Sequence, residues 1–176
     1  MVLIQLTGLS GSGKSTIAFA VRALLQKEGH AVEVIDGDTY RKHLCPDLGF
    51  SKQDRNENIR RLGFVAERMT ANGVIAIIAA INPYEEIRQE ISNYGNHVKT
   101  VWINCDLKTL IDRDTKQLYK RALLPDGHPE KINNLTGVSD PFEMPDNADL
   151  IIDTHKRSEE ECVKQLYNYI MHQLPG

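Results

Sequence analysis

Gly8, Leu9, Ser10, Gly11, Ser12, Gly13, Lys14, Ser15 and Thr16 form the first group of residues able to do chemistry. A glycine, four spacer residues and then Gly-Lys-Ser is the spacing of a loop that wraps a polyphosphate. Glycines let successive backbone N–H groups turn inward onto one anion. The lysine of such a loop reaches the β- and γ-phosphates, and the hydroxyl after it, here Ser15, holds Mg²⁺. An ordinary glycine-rich turn before a helix would give no reason for lysine and serine at those offsets.

Two further groups stand downstream. Asp36-Gly37-Asp38 offers two carboxylates; one is expected to cap a helix, and the other, Asp38, to act near the metal. Arg41, Arg55, Arg60 and Arg61 cluster around Asn58 and Phe50. Guanidinium groups beside an aromatic ring predict a second anionic pocket with an aromatic wall. Later, Asp112, Arg113, Asp114, Lys116, Lys120 and Arg121 crowd one charged segment ahead of a turn-rich stretch that runs to about Pro145. So long a connection with cations on its flank predicts a mobile cover, roughly 112–145, over two bound nucleotides. His128, between Gly127 and Pro129, reads as a loop residue.

These groups need elements to position them. Apolar runs at 2–6, 31–35, 74–78, 98–103 and 148–152 predict strands, and 74–78 is unbroken enough to be buried on both faces. Helical spacing follows the glycine-rich loop at Ile17, Ala18, Val21 and Leu25. It returns from about Lys52, over 85–94 and 107–124, and from 159 to 174. Ser51 with Asp54 resembles a cap and first-turn acid. Strands alternating with helices predict an α/β fold in which ligands gather beyond the carboxyl ends of parallel strands. The loop after strand one, the acids after strand two and the Asn82-Pro83 turn after strand three all fall on that side. Trp102 is expected in the core.

With 176 residues the chain fits one domain, 1–176, and its net charge of −3 argues against a general nucleic-acid binder. Cys45, Cys105 and Cys162 lack metal-ligand spacing and read as thiols in a reducing compartment. No apolar run is long enough to span a bilayer and no leader is visible, so no membrane partner is expected and the cytoplasm is the expected location.

From Ile4 to about Glu143 the motifs link into one pattern. The phosphate loop 8–16 is followed by Asp36-Gly37-Asp38 with Arg41, then Asp47-Leu48-Gly49-Phe50-Ser51, Asp54-Arg55 and Glu57-Asn58-Ile59-Arg60-Arg61. Arg113-Asp114 with Lys116, then Leu118-Tyr119-Lys120 and Thr136-Gly137, complete it. The sequence resembles the adenylylsulfate kinases (APS kinases), which use MgATP to phosphorylate the ribose 3′-hydroxyl of adenosine 5′-phosphosulfate. The resemblance implies a three-layer P-loop nucleoside-triphosphate hydrolase fold of nucleotide-kinase type: a five-stranded parallel sheet, helices on both faces and a lid. It implies Lys14 and Asp38 as catalytic residues. Arg113 would join the loop 8–16 on ATP, and Ser15 and Asp38 would hold Mg²⁺, partly through water. Asp38, Arg41, Phe50, Arg55, Asn58, Ile81, Asn82, Lys116 and Leu135 would line the acceptor site, with Phe50 stacked on adenine and Ile81 acting through its main chain. Homodimers are usual in the similar family.

Three positions depart from that pattern. Asn82 stands where the family commonly has a serine sometimes described as a phosphoryl carrier; an amide cannot play that part, so direct in-line transfer from ATP is expected. Leu135 replaces a phenylalanine that forms the second wall of the adenine sandwich, and Gln117 replaces a glycine. Two other readings stay open. One is the same transfer onto a related nucleotide such as a cytidine phosphoramidate. The other is a nucleotide-binding regulatory module; against it, the sequence has no Asn-Lys-x-Asp base-reading motif and retains Lys14 and Asp38.

Overall fold

The computed structural model describes residues 1–174. The five predicted strands form one parallel sheet: β1 (Leu3–Thr7), β2 (Val32–Asp36), β3 (Ile75–Ala79), β4 (Val98–Asn104) and β5 (Leu150–Asp153), in the order β2-β3-β1-β4-β5. Its helices are α1 (Lys14–Lys27), α2 (Gly37–Leu44), α3 (Lys52–Ala71), α4 (Glu85–Ser92), α5 (Leu107–Arg113), α6 (Leu118–Ala122) and α7 (Glu159–Gln173).

Alternation along the strands builds two cores. On β3, Ile75 and Ile77 join Ile4 and Leu6 of β1 under Ile17 and Val21 of α1 and Leu166 of α7. Ala76 and Ile78 point the other way, with Leu3, against Ile59 and Leu62 of α3 and Ile87 and Ile91 of α4. Every residue of β3 is buried, as an unbroken apolar run requires. Truncating Ile77 to alanine would cost about 2–5 kcal/mol, because a cavity would open between two packed layers.

Local caps follow the sequence. Ser51 opens α3 by accepting from the backbone N–H of Asp54 at 3.1 Å, and its hydroxyl donates to the Asp54 carboxylate at 2.7 Å. The expected helix over 107–124 is instead two. Asp114 and Gln117 adopt positive φ, 25° and 52°, between α5 and α6. The Asp114 carboxylate accepts from the backbone N–H groups of Tyr119 and Lys120 at 3.0 and 2.8 Å. Those donors belong to a helix start, so a new helix begins where periodicity alone predicts continuation. A third apolar cluster packs Tyr119, Ala122 and Leu135 of the 112–145 segment against Leu110 of α5 and Cys105, just after β4. Trp102 is half-buried rather than in the core: its register partner Ile151 is also exposed, so the α3–α4 layer stops short of this edge of the sheet.

Candidate active site

The loop after β1 can take its path only with glycine at its first turn. A Cβ on Gly8 would stand 2.4 Å from the carbonyl oxygen of Ile103. Gly11 and Gly13 carry φ of 77° and 100°, the left-handed region that side chains disfavour. Ser10, Gly11, Ser12, Gly13, Lys14, Ser15 and Thr16 line a cavity of about 990 Å³, and Gly8 and Leu9 of the same loop do not. The Lys14 ammonium, 8% exposed, donates to the carbonyls of Gly8 and Leu9 at 2.9 and 2.7 Å and to the Ser12 hydroxyl at 3.3 Å. Burial, and then the nearby charge of Lys116, push its pKa down to about 7.

The two acids after β2 divide their work. Asp36 caps α2, accepting from Thr39 N–H at 3.0 Å, and accepts the Ser15 hydroxyl at 2.7 Å. Burial opposes its charge, but the bonds from Ser15 and Thr39 prevail and hold its carboxyl below the usual range. Asp38 faces the same cavity and pairs with Lys116 of the cover at 2.5 Å. Both members are more than half exposed, so the pair is worth at most about 1 kcal/mol. Asp36 is therefore the expected cap and is also the acid bonded to Ser15, while Asp38 faces the cavity. Ser15, Asp36 and Asp38 present hard oxygen donors of the kind Mg²⁺ takes.

The predicted second pocket opens into the same cavity. Arg41 and Arg55 place their guanidinium carbons 4.8 and 5.5 Å from the centre of the Phe50 ring, which is 54% exposed at the rim. Arg55 also donates to Asn134 O at 2.6 Å and to Asp140 at 2.8 Å, so it links α3 to the far end of the cover. The buried Asn58 Oδ1 and Thr136 Oγ1 have no hydrogen-bond partner, and both residues line the cavity. Leu135 shows 6% exposure there.

Arg60 and Arg61 do not join this pocket. Arg60 pairs with Glu57 and Glu90, and Arg61 with Asp47 and Glu57. Five or six residues beyond Arg55 turns a side chain more than a right angle away from Arg55 around α3. Asn82, at φ 48°, lines the cavity too; its amide Nδ2 donates to Gln5 Oε1 at 3.1 Å, and its buried Oδ1 has no hydrogen-bond partner. Arg113 lines the cavity and donates to Thr154 O at 3.2 Å. Thr154, Arg157 and Glu159 also line it and were missed. Their position just beyond β5 was the available signal, by the strand-end rule that identified Asp36.

A phosphate loop, two strand-end acids and a cation-bearing cover around one cavity in a five-stranded parallel sheet define a P-loop kinase of small molecules. The family model for adenylylsulphate kinase matches residues 1–153, and the chain belongs to that family, whose members are ATP-dependent phosphotransferases acting on a hydroxyl group. It is 47% identical over 168 residues to an adenylyl-sulfate kinase of Microcystis aeruginosa, covering 95% of this chain and 90% of the relative. An APS kinase of Mycobacterium tuberculosis, solved in complex with AMPPNP and APS, superposes with a TM-score of 0.88 at 34% identity, covering 97% of both chains. A hexameric APS kinase from Thiobacillus denitrificans matches at TM-score 0.69 and 31% identity, over 98% of this chain and 29% of that one.

Proposed function

We propose that the chain transfers the γ-phosphoryl of MgATP to the 3′-hydroxyl of adenosine 5′-phosphosulfate, yielding 3′-phosphoadenylyl sulfate and ADP in sulfate assimilation. The observation that carries this reading is the single cavity shared by the Lys14 loop and the Arg41–Phe50–Arg55 pocket. Two anions held end to end in one cleft are in the arrangement that phosphoryl transfer needs, since alignment and charge neutralisation do most of the work.

The residues divide as follows. Loop amides of 8–16 and Lys14 hold the triphosphate, and Arg113, beside Thr154, closes on it. Arg41, Arg55 and Asn58 bind the acceptor's phosphosulfate and ribose, Phe50 stacks on its base, and Leu135 and the main chain of Ile81 and Asn82 shape the floor. Mg²⁺ would be held from Ser15, with Asp36 orienting that hydroxyl and Asp38 nearby; when bound it neutralises charge on the phosphates. Asp38, released from Lys116, takes the proton of the 3′-hydroxyl as its oxygen bonds to phosphorus. The bond from phosphorus to the β,γ-bridging oxygen then breaks, and ADP leaves. Lys116, freed in turn, stabilises the transferring group. The chain works as one catalytic unit with 112–145 as its cover.

Among the described residues no helix is long and apolar enough to cross a membrane, which is compatible with work in the cytoplasm on small diffusible nucleotides. Homodimeric assembly is part of the proposal; a groove on α3 around Phe64, 62% exposed, with Leu44, Val65 and Tyr94, is the surface it would cover. The test is an acceptor profile of the pure protein with labelled ATP. Label transfer to adenylyl sulfate is expected; turnover confined to a cytidine phosphoramidate would overturn the substrate, and ATP binding with no transfer to any nucleotide would overturn the enzyme.

A further inference from the structure

Arg88 has no part in the reaction as described, yet it is among the largest fully buried side chains, 1% exposed. It lies on α4, behind the turn that leaves β3. Its Nη1 donates to Asn82 O at 2.8 Å. Its Nη2 donates to Glu143 O at 2.7 Å and to Glu85 Oε2 at 2.6 Å, and Nε reaches Glu85 Oε2 at 3.0 Å. One guanidinium thus joins the acceptor-site turn to the C-terminal root of the cover.

Both ends of that link are tied again. Glu143 N–H donates to Pro83 O at 2.9 Å, and the Glu143 carboxylate accepts from Glu85 N–H at 2.6 Å. On the other side, Gly8 N–H donates to Ile81 O at 3.1 Å, and the Thr7 hydroxyl bonds the carbonyls of Ile81 and Asn82 at 3.1 and 2.9 Å. Gln5, fully buried in β1, donates to the Arg88 carbonyl at 3.0 Å and accepts from Asn82 Nδ2. The turn therefore touches the first glycine of the phosphate loop on one side and the cover's root on the other.

We infer that Arg88 is a positioning residue for the acceptor: its guanidinium locks the left-handed Asn82 turn against both the phosphate loop and the Glu143 root, so that the acceptor pocket has its bound shape before substrate arrives. Burying a cation for adhesion alone is a poor bargain, because well-packed apolar residues stabilise as well or better. What guanidinium supplies instead is direction: five donors in a rigid plane, spent here on two backbone carbonyls and a carboxylate. Asn82 sits at φ 48°, a conformation that needs its surroundings to hold it. Lysine has one charged nitrogen and cannot span these acceptors.

This rests on the acceptor pocket assigned above. The test compares full-length wild type with Arg88→Lys, Arg88→Met and Glu143→Ala in steady-state turnover of ATP and adenylyl sulfate, alongside thermal melts. Arg88→Lys is expected to raise the KM for adenylyl sulfate about tenfold or more while the KM for ATP stays within about twofold. Arg88→Met should show a larger split in the same direction. Glu143→Ala, which leaves Arg88 in place, should raise the acceptor KM alone by a few-fold and keeps the test open if the Arg88 variants do not fold. Equal changes in both KM values, or a lowered melting temperature with unchanged KM values, would show that Arg88 only cements α4 to the sheet. Wild type failing to use adenylyl sulfate would instead overturn the substrate reading itself.

Discussion

Lys14 should make ATP binding depend on pH through one proton. With its ammonium buried and its pKa near 7, the free protein at neutral pH holds Lys14 about half protonated. The triphosphate needs the charged form, so the dissociation constant for MgATP scales inversely with the protonated fraction. That fraction falls from about 0.76 at pH 6.5 to about 0.03 at pH 8.5, which weakens binding about 25-fold, roughly 2 kcal/mol. Calorimetric titration with a non-hydrolysable ATP analogue at saturating Mg²⁺, in buffers of different ionisation enthalpy, reads both quantities. At pH 8.5 close to one proton should be taken up per analogue bound. Lys14→Arg, charged throughout this range, should flatten the profile and abolish the uptake. A wild-type dissociation constant that is level from pH 6.5 to 8.5, with no proton uptake, would refute a Lys14 pKa lowered to about 7.

The same depressed pKa bears on stability. The folded chain holds fewer protons on Lys14 than the unfolded chain between about 7 and 10.5, so stability from this group rises with pH across that window and is lowest below it. Lys14→Met should accordingly raise the unfolding free energy at pH 6 by a few kcal/mol while eliminating turnover, as read by urea denaturation and ADP release. Arg55→Ala should raise the acceptor KM by at least about tenfold and the ATP KM far less; equal effects would assign Arg55 to the Asp140 link alone. Phe64→Lys should convert the proposed dimer to monomer in sedimentation velocity without loss of fold, and a wild type that is already monomeric would remove that proposal.

What could be read from the residues was whatever is local. The phosphate loop, the strand-end acids and the Ser51 cap each depend on spacings of a few positions, and each stands where expected. Arg60 and Arg61 were misplaced because proximity in sequence was taken for proximity on a helix face; the turn of α3 sends them to Glu57, Glu90 and Asp47 instead. The break at Asp114 and Gln117 depends on a carboxylate reaching forward to two N–H groups, which no hydrophobic period encodes. Thr154 and Arg157 reach the cavity because β5 pairs with β4 in a particular register, a long-range fact. Asn82 draws notice in the sequence as a departure from the resembled pattern, but its partner Gln5 lies 77 positions away.

The cover is fastened at several points. Tyr119 donates to Ser10 O at 2.8 Å, Leu9 packs against Gly137, and Arg55 holds Asp140. Lys116, by contrast, sits between the two positive-φ residues Asp114 and Gln117 and is retained by one solvent-exposed ion pair. If reactants enter past Lys116, a latch would serve rather than a door: rotation about a handful of bonds in the four-residue turn 114–117 would free the entrance with the apolar cluster behind it undisturbed. Such a movement would cost little, so ionic strength, which weakens the Lys116–Asp38 attraction, should change the rate of substrate entry and leave the melting temperature in place.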